Sequence, residues 1–131
     1  MNIKEYKSEV KISPKRRSQP EDELCKAFWQ WCCLNPKIEK CTYRIEHRGN
    51  RSIAHAMKLK NMGVKAGIAD YFIMHSAYGY HGLWIEMKHG KGKQSEAQLA
   101  FEEMCKMKGY LYLVINSIED AIKTVQGYFG E

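Results

Sequence analysis

The sequence predicts an α/β fold, a mixed β-sheet with helices packed on it, and three observations carry that prediction. Helical and strand patterns follow one another in the order helix, strand, helix, two strands, helix, strand, helix. The two central runs, "DYFIMH" (70–75) and "GLWIEMK" (82–88), stand as the arms of an antiparallel hairpin. The second arm is then followed by a helix and the apolar run "YLYLVI" (110–115), a crossover that adds a further strand to the hairpin.

Each element has local support. Residues 1–17, ending in "SPKRR", are polar and basic and read as an N-terminal arm, with the folded domain over 18–131. In "SQPEDELCKAFWQWCCLNP", Ser18 and Glu21 have capping-box spacing, Pro20 suits a first helical turn, and Asn35-Pro36 stops the helix. Its apolar face is Leu24, Ala27, Phe28 and Trp31. "TYRIEH" (42–47) reads as a short strand, and "HRGNRS" as a polar loop feeding a helix from about Ile53 to Met62 that Gly63 ends. "GVKAGIAD" leads into the first hairpin arm, and "HGKGKQ" is a flexible basic loop after the second. Ser95 opens a helix to about Lys108, with Gly109 beyond its end. The continuous apolar run 110–115 reads as a buried strand, and Ser117 caps a last helix over about Ile118 to Tyr128.

The bulk composition narrows the class of protein. The 131 residues suffice for one domain with a real core, and 44% hydrophobic with 27% charged residues fits an ordinary globular chain. The apolar runs are far shorter than the ~20 residues of a membrane helix, and the N-terminus has no signal-peptide core. The cytosol is the expected location, with no membrane partner. Five cysteines, odd in number and without a CxxC, suggest reduced and mostly buried thiols rather than disulfides or structural zinc, and the five histidines show no zinc-ligand spacing. The net charge of +6 is compatible with a polyanionic partner. Trp29, Trp31 and Trp84 are read as core or interface.

The hairpin poses the chemical question, because Asp70 opens one arm while Glu86 and Lys88 sit inside the other. Side chains alternate faces along a strand, and directly opposed residues share a face. A connection centred on Gly79 would place Asp70 opposite Lys88, with Glu86 diagonal to Asp70 on the same face. An even-length connection would separate Asp70 from the other two unless a bulge intervened. Two carboxylates and an ammonium on one face suit a hard divalent cation, which takes oxygen ligands near ~2.1 Å and keeps several waters. Charges inside an apolar strand are costly without a partner or a metal. Such a set can hydrolyse phosphodiesters, with Lys88 orienting the water and offsetting charge on the phosphorane. A cross-strand salt bridge in a metal-free structural protein is the alternative.

"GVKAGIAD" (63–70), "IEMK" (85–88) and "QSEAQ" (94–98), with Glu23 on the first helix, resemble the VRR-NUC domain, a branch of the PD-(D/E)XK nuclease superfamily. The resemblance covers roughly residues 18 to 116 and looks like the standalone type of phages and prophages. It implies a restriction-endonuclease-like central mixed β-sheet flanked by helices, and a Mg²⁺- or Mn²⁺-dependent DNA endonuclease acting on structured DNA such as four-way junctions or flaps. The family motif carries over onto Asp70 and Glu86 as metal ligands, Lys88 as the catalytic lysine, Met87 as a carbonyl ligand, Glu23 as a ligand from the first helix, and Gln98 as a site residue. Ala69 stands where the superfamily name has proline.

Two assignments have local alternatives. Gln98 is spaced from Ser95 to close a capping box, and Glu23 is a first-turn residue that the helix dipole would favour in any case. Arg48, Asn50 and Arg51 are candidate contacts to the DNA backbone, as are Lys91 and Lys93, each within a stretch that could equally be a solvated loop. Cutting both strands of a symmetric junction would need two sites, so a twofold homodimer is expected. A restriction-like or RNA-directed nuclease and a non-catalytic DNA-binding module of the same fold are the competing readings.

Overall fold

Pro20, expected in a first turn, opens α1 (Pro20–Cys33), and the computed structural model describes residues 20–45 and 52–131. The basic arm 1–17, the Ser18 cap and the candidates Arg48, Asn50 and Arg51 lie outside the described residues. Asn35 ends α1 as expected, donating from its side-chain amide to the Trp31 carbonyl at 2.8 Å. A short second helix, α2 (Pro36–Glu39), follows at once and buries Ile38; the sequence reading did not foresee it.

The remaining elements are β1 (Thr42–Arg44), α3 (Ile53–Asn61), β2 (Tyr71–Ile73), β3 (Leu83–Met87), α4 (Glu96–Met107), β4 (Leu111–Ile115) and α5 (Ile118–Tyr128). Ser52, Ser95 and Ser117 each accept a backbone N–H at the start of their helices. Gly63 and Gly109 follow α3 and α4 at φ 99° and 86°, the left-handed geometry that glycine adopts without strain.

The sheet order is β1-β2-β3-β4, antiparallel in the first two pairings and parallel between β3 and β4, so the mixed sheet and the crossover are as expected. β4 lies at an edge, and Val114 on it is exposed, which corrects its reading as a buried strand. On one face α1 and α5 cover Tyr71, Ile73, Leu83, Ile85, Met87 and Ile115. On the other, Trp84, Phe101, Cys105 and Tyr112 form a smaller cluster beneath α4. Trp31 is fully buried and Trp84 packs against Phe72 and Phe101, consistent with core roles. All five cysteines are free, and Cys25, Cys32 and Cys105 are buried. Among the described residues no helix is long and apolar enough to cross a membrane.

The hairpin register departs from the expected one in an informative way. The ladder pairs Tyr71 with Ile85, Phe72 with Trp84 and Ile73 with Leu83. One step further along, Asp70 therefore stands opposite Glu86, with Lys88 diagonal, not opposite Lys88 as a Gly79-centred hairpin requires. The tip is an even, two-residue turn: Ala77 and Tyr80 exchange backbone hydrogen bonds, and Tyr78 and Gly79 both have positive φ, 53° and 83°. The Tyr78 hydroxyl donates to the Gly127 carbonyl at 2.9 Å and holds this left-handed tyrosine in place. Continued unbroken, that turn would set Asp70 opposite Met87, on the wrong face. Residues 74–76 on one arm face only 81–82 on the other, and the His75 N–H bonds back to the Ile73 carbonyl across a tight bend at Met74. That extra residue restores Asp70 to the face of Glu86.

Candidate functional site

Asp70, Glu86 and Lys88 meet on the α4 side of the sheet, at the point where β2 begins and β3 ends. Apolar neighbours dictate this placement: Tyr71, Ile73, Ile85 and Met87 go to the α1 side, so the residues between them face α4. Asp70 Oδ2 accepts the backbone N–H of Met87 at 2.7 Å, which ties the start of β2 to the end of β3. Glu86 Oε1 accepts from the Gln98 side-chain amide at 2.9 Å and lies 3.8 Å from Lys88 Nζ. Both partners of that ion pair are largely buried, at 5% and 12% side-chain exposure.

Glu86 Oε2 is buried and has no hydrogen-bond partner among the described residues. Burial first, and then the adjacent Asp70 carboxylate, push the Glu86 carboxyl up to about 8, against the opposing pull of Lys88. Two carboxyl groups crowded together, the Oε2 of one buried away from any donor, make an environment that a divalent cation relieves. Among the described residues no three His, Cys, Asp or Glu side chains are grouped to hold a metal. Two carboxylates nevertheless match the donor set of Mg²⁺, which commonly takes one or two together with water and substrate phosphate.

Gln98 makes the capping contact and also touches Glu86. Its Oε1 accepts the Ser95 N–H at 2.8 Å to close the capping box, while its Nε2 donates to Glu86. The cap thus aims the amide. Replacement Gln98→Glu keeps the cap acceptor but sets a carboxylate against Glu86. The variant is expected to be destabilised more at pH 8 than at pH 5, and equal losses of melting temperature at the two pH values would refute the dual role.

Helix α1 carries the expected Glu23 and also Glu21 in its first turn. Glu23 pairs with Lys26 at 3.5 Å through Oε1, an oxygen that is buried and has no hydrogen bond among the described residues. Glu21 is the α1 residue whose charge acts on Glu86, and its Oε1 also lies 3.4 Å from the His89 N–H. The physical reason is helical phase. Glu21 shares a stripe with Cys25 and Phe28, which meet Tyr71 of β2, whereas Glu23 shares one with Ala27 and Trp31. Both stripes are apolar, so spacing by itself does not tell which faces the site.

Arg44 is the other residue that sequence reasoning missed. It sits opposite Tyr71 in the β1–β2 ladder, with its guanidinium 5.1 Å from that ring's centroid and Nη1 3.4 Å from Asp70 Oδ1. Nη1 also donates to Cys25 Sγ at 3.1 Å. Burial and then Asp70 push the Cys25 thiol up to about 11, so the sulfur stays a neutral acceptor at neutral pH. Its only sequence signal is its place on the strand beside the one that Asp70 opens. Met87 contributes its N–H to Asp70 and buries its side chain on the far face. Lys91 and Lys93 are exposed on the loop that follows Lys88.

No protein-family model and no curated protein matches the chain. Among solved structures it is similar to a VRR_NUC domain protein, at 28% sequence identity and a TM-score of 0.75, over 88% of this chain and 92% of that one. The likeness supports a VRR-NUC type of domain, nuclease-like in fold.

Proposed function

We propose that this chain is a metal-dependent nuclease of the PD-(D/E)XK type that hydrolyses phosphodiester bonds in DNA. The observation that carries this reading is the pairing of Asp70 with Glu86 on one sheet face, the latter buried with an unpartnered oxygen and flanked by Lys88 and Gln98. Asp70 and Glu86 would hold Mg²⁺ or Mn²⁺, helped by the Met87 carbonyl, with Glu21, whose charge acts on Glu86, as the α1 carboxylate in place of Glu23. The chemistry such an ion supplies is polarisation of a phosphate oxygen and a lowered pKa for bound water. Gln98 orients Glu86. Lys88 orients the attacking water and offsets the charge that develops on phosphorus. Water oxygen bonds to phosphorus and gives up a proton to solvent, the bond to the leaving sugar oxygen breaks, and that oxygen takes a proton from solvent. Lys91 and Lys93, on the exposed loop leaving β3, and the basic stretch with Arg48, Asn50 and Arg51 meet the DNA backbone.

The substrate is branched DNA, a four-way junction or a flap, and a twofold homodimer presents two sites to it. The family likeness supports the nuclease reading, and the +6 net charge is compatible with a polyanion. The test is a panel of labelled four-way junction, flap, linear duplex and RNA incubated with the protein and Mn²⁺. Preferential cutting of branched DNA, abolished by EDTA, is the expected result. Preference for RNA or plain duplex would move the reading to another nuclease of the superfamily, and binding without cutting to a non-catalytic module.

A further inference from the structure

Arg44 occupies a position that the proposed reaction does not account for. Its side chain is 43% exposed, yet it is held at three points: Asp70 Oδ1, Cys25 Sγ and the Tyr71 ring. It also lines an open groove of about 800 Å³ between α1 and β1, where Lys26, Trp29 and Tyr43 lie beside it and the carboxylates of Asp22 and Glu39 share the wall. A solvent-exposed ion pair by itself contributes little to stability. Here its second partner is a candidate metal ligand, whose other oxygen is already taken by the Met87 N–H.

We infer that Arg44 is a positioning residue that serves as the built-in counter-ion of the candidate metal site and couples metal binding to DNA binding. The inference rests on the reading of Asp70 and Glu86 as the metal site. In the DNA-free protein the guanidinium stands at Asp70 Oδ1, and a divalent cation entering beside Asp70 meets its positive charge at close range. A DNA phosphate in the groove gives the guanidinium a bidentate partner and draws it from Asp70. Metal then binds more tightly when DNA is present. By linkage, DNA binds more tightly by the same factor when metal is present. The exposed side of Arg44 faces the groove, so the exchange of partners needs no opening of the core.

The experiment is calorimetric titration of Mn²⁺ into wild type, Arg44→Gln and Arg44→Lys, each alone and with a saturating short phosphorothioate DNA duplex that resists hydrolysis. Wild type should bind Mn²⁺ roughly tenfold more tightly with the duplex than without it, within the usual range of such couplings. Arg44→Gln should bind Mn²⁺ roughly tenfold more tightly than wild type without DNA and show no further gain with it. Arg44→Lys, which keeps the charge, should remain weak without DNA. Circular dichroism and melting of each variant verify that it is folded. Unchanged or weaker Mn²⁺ binding by folded Arg44→Gln would overturn the inference while leaving the metal site intact. Failure of wild type to bind Mn²⁺ under any condition would overturn the metal site, and the inference with it.

Discussion

Lys88→Ala is expected to lower the Mn²⁺-supported rate of DNA hydrolysis by about 10²–10⁴-fold, the range for loss of a group that acts on the proton or charge of the transition state. The side chain is largely buried beside Glu86, one residue past β3, and β3 itself carries no cation that could substitute for it. Glu86→Ala should cost at least as much, since it removes one of the two paired carboxylates. DNA binding, measured by fluorescence anisotropy in Ca²⁺, should survive in Lys88→Ala because the exposed basic residues remain. Cleavage by folded Lys88→Ala at the wild-type rate would remove this face of the sheet from the chemistry.

The second large effect is on stability against pH in the metal-free protein. The Glu86 carboxyl has an ordinary value of 4.5 and is pushed up to about 8 in the fold, first by burial and then by Asp70. Between those values the folded state therefore holds a proton that the unfolded chain has lost. Stability accordingly falls as pH rises through that window, and the penalty is absent below it. The decline should amount to roughly 2–4 kcal/mol. Glu86→Gln cannot ionise, so its melting temperature should fall less from pH 5 to pH 8 than that of wild type in EDTA. Mn²⁺ at pH 8 should restore the wild type and leave the variant unaffected. Parallel pH profiles of the two proteins in EDTA would show that Glu86 is not the strained group.

Much of this architecture was legible because its determinants are local. Ser95 with Gln98, Ser117, and the glycines after α3 and α4 mark helix ends within a few residues of chain, and they do so in the structure. The order of elements and the crossover after the hairpin were sufficient for the mixed sheet. The sequence also placed Asp70, Glu86 and Lys88 on one face, subject to a single condition on the parity of the connection.

How that condition is met was not legible. The turn at Tyr78 and Gly79 is even and would have separated the carboxylates, and one extra residue near Met74 reverses the outcome. The choice depends on the ladder to β3, on the Met74 N–H bonding to the Cys41 carbonyl beyond β1, and on the Tyr78 hydroxyl bonding to Gly127, all contacts distant in sequence. The same limit explains Glu21. Two apolar stripes run along α1, and the packing of Cys25 and Phe28 on Tyr71 sets the helix phase that lets the charge of Glu21 act on Glu86.

By itself, then, the sequence determined the alternation of elements, the helix ends and the identities of the hairpin's charged residues, because each depends on spacing within one segment. Only the tertiary structure decided that Asp70 opposes Glu86, that Gln98 can cap α4 and hold Glu86 at once, and that Arg44 reaches Asp70. Those are contacts between segments, set by how the two sheet faces are buried, and no periodicity along the chain encodes them.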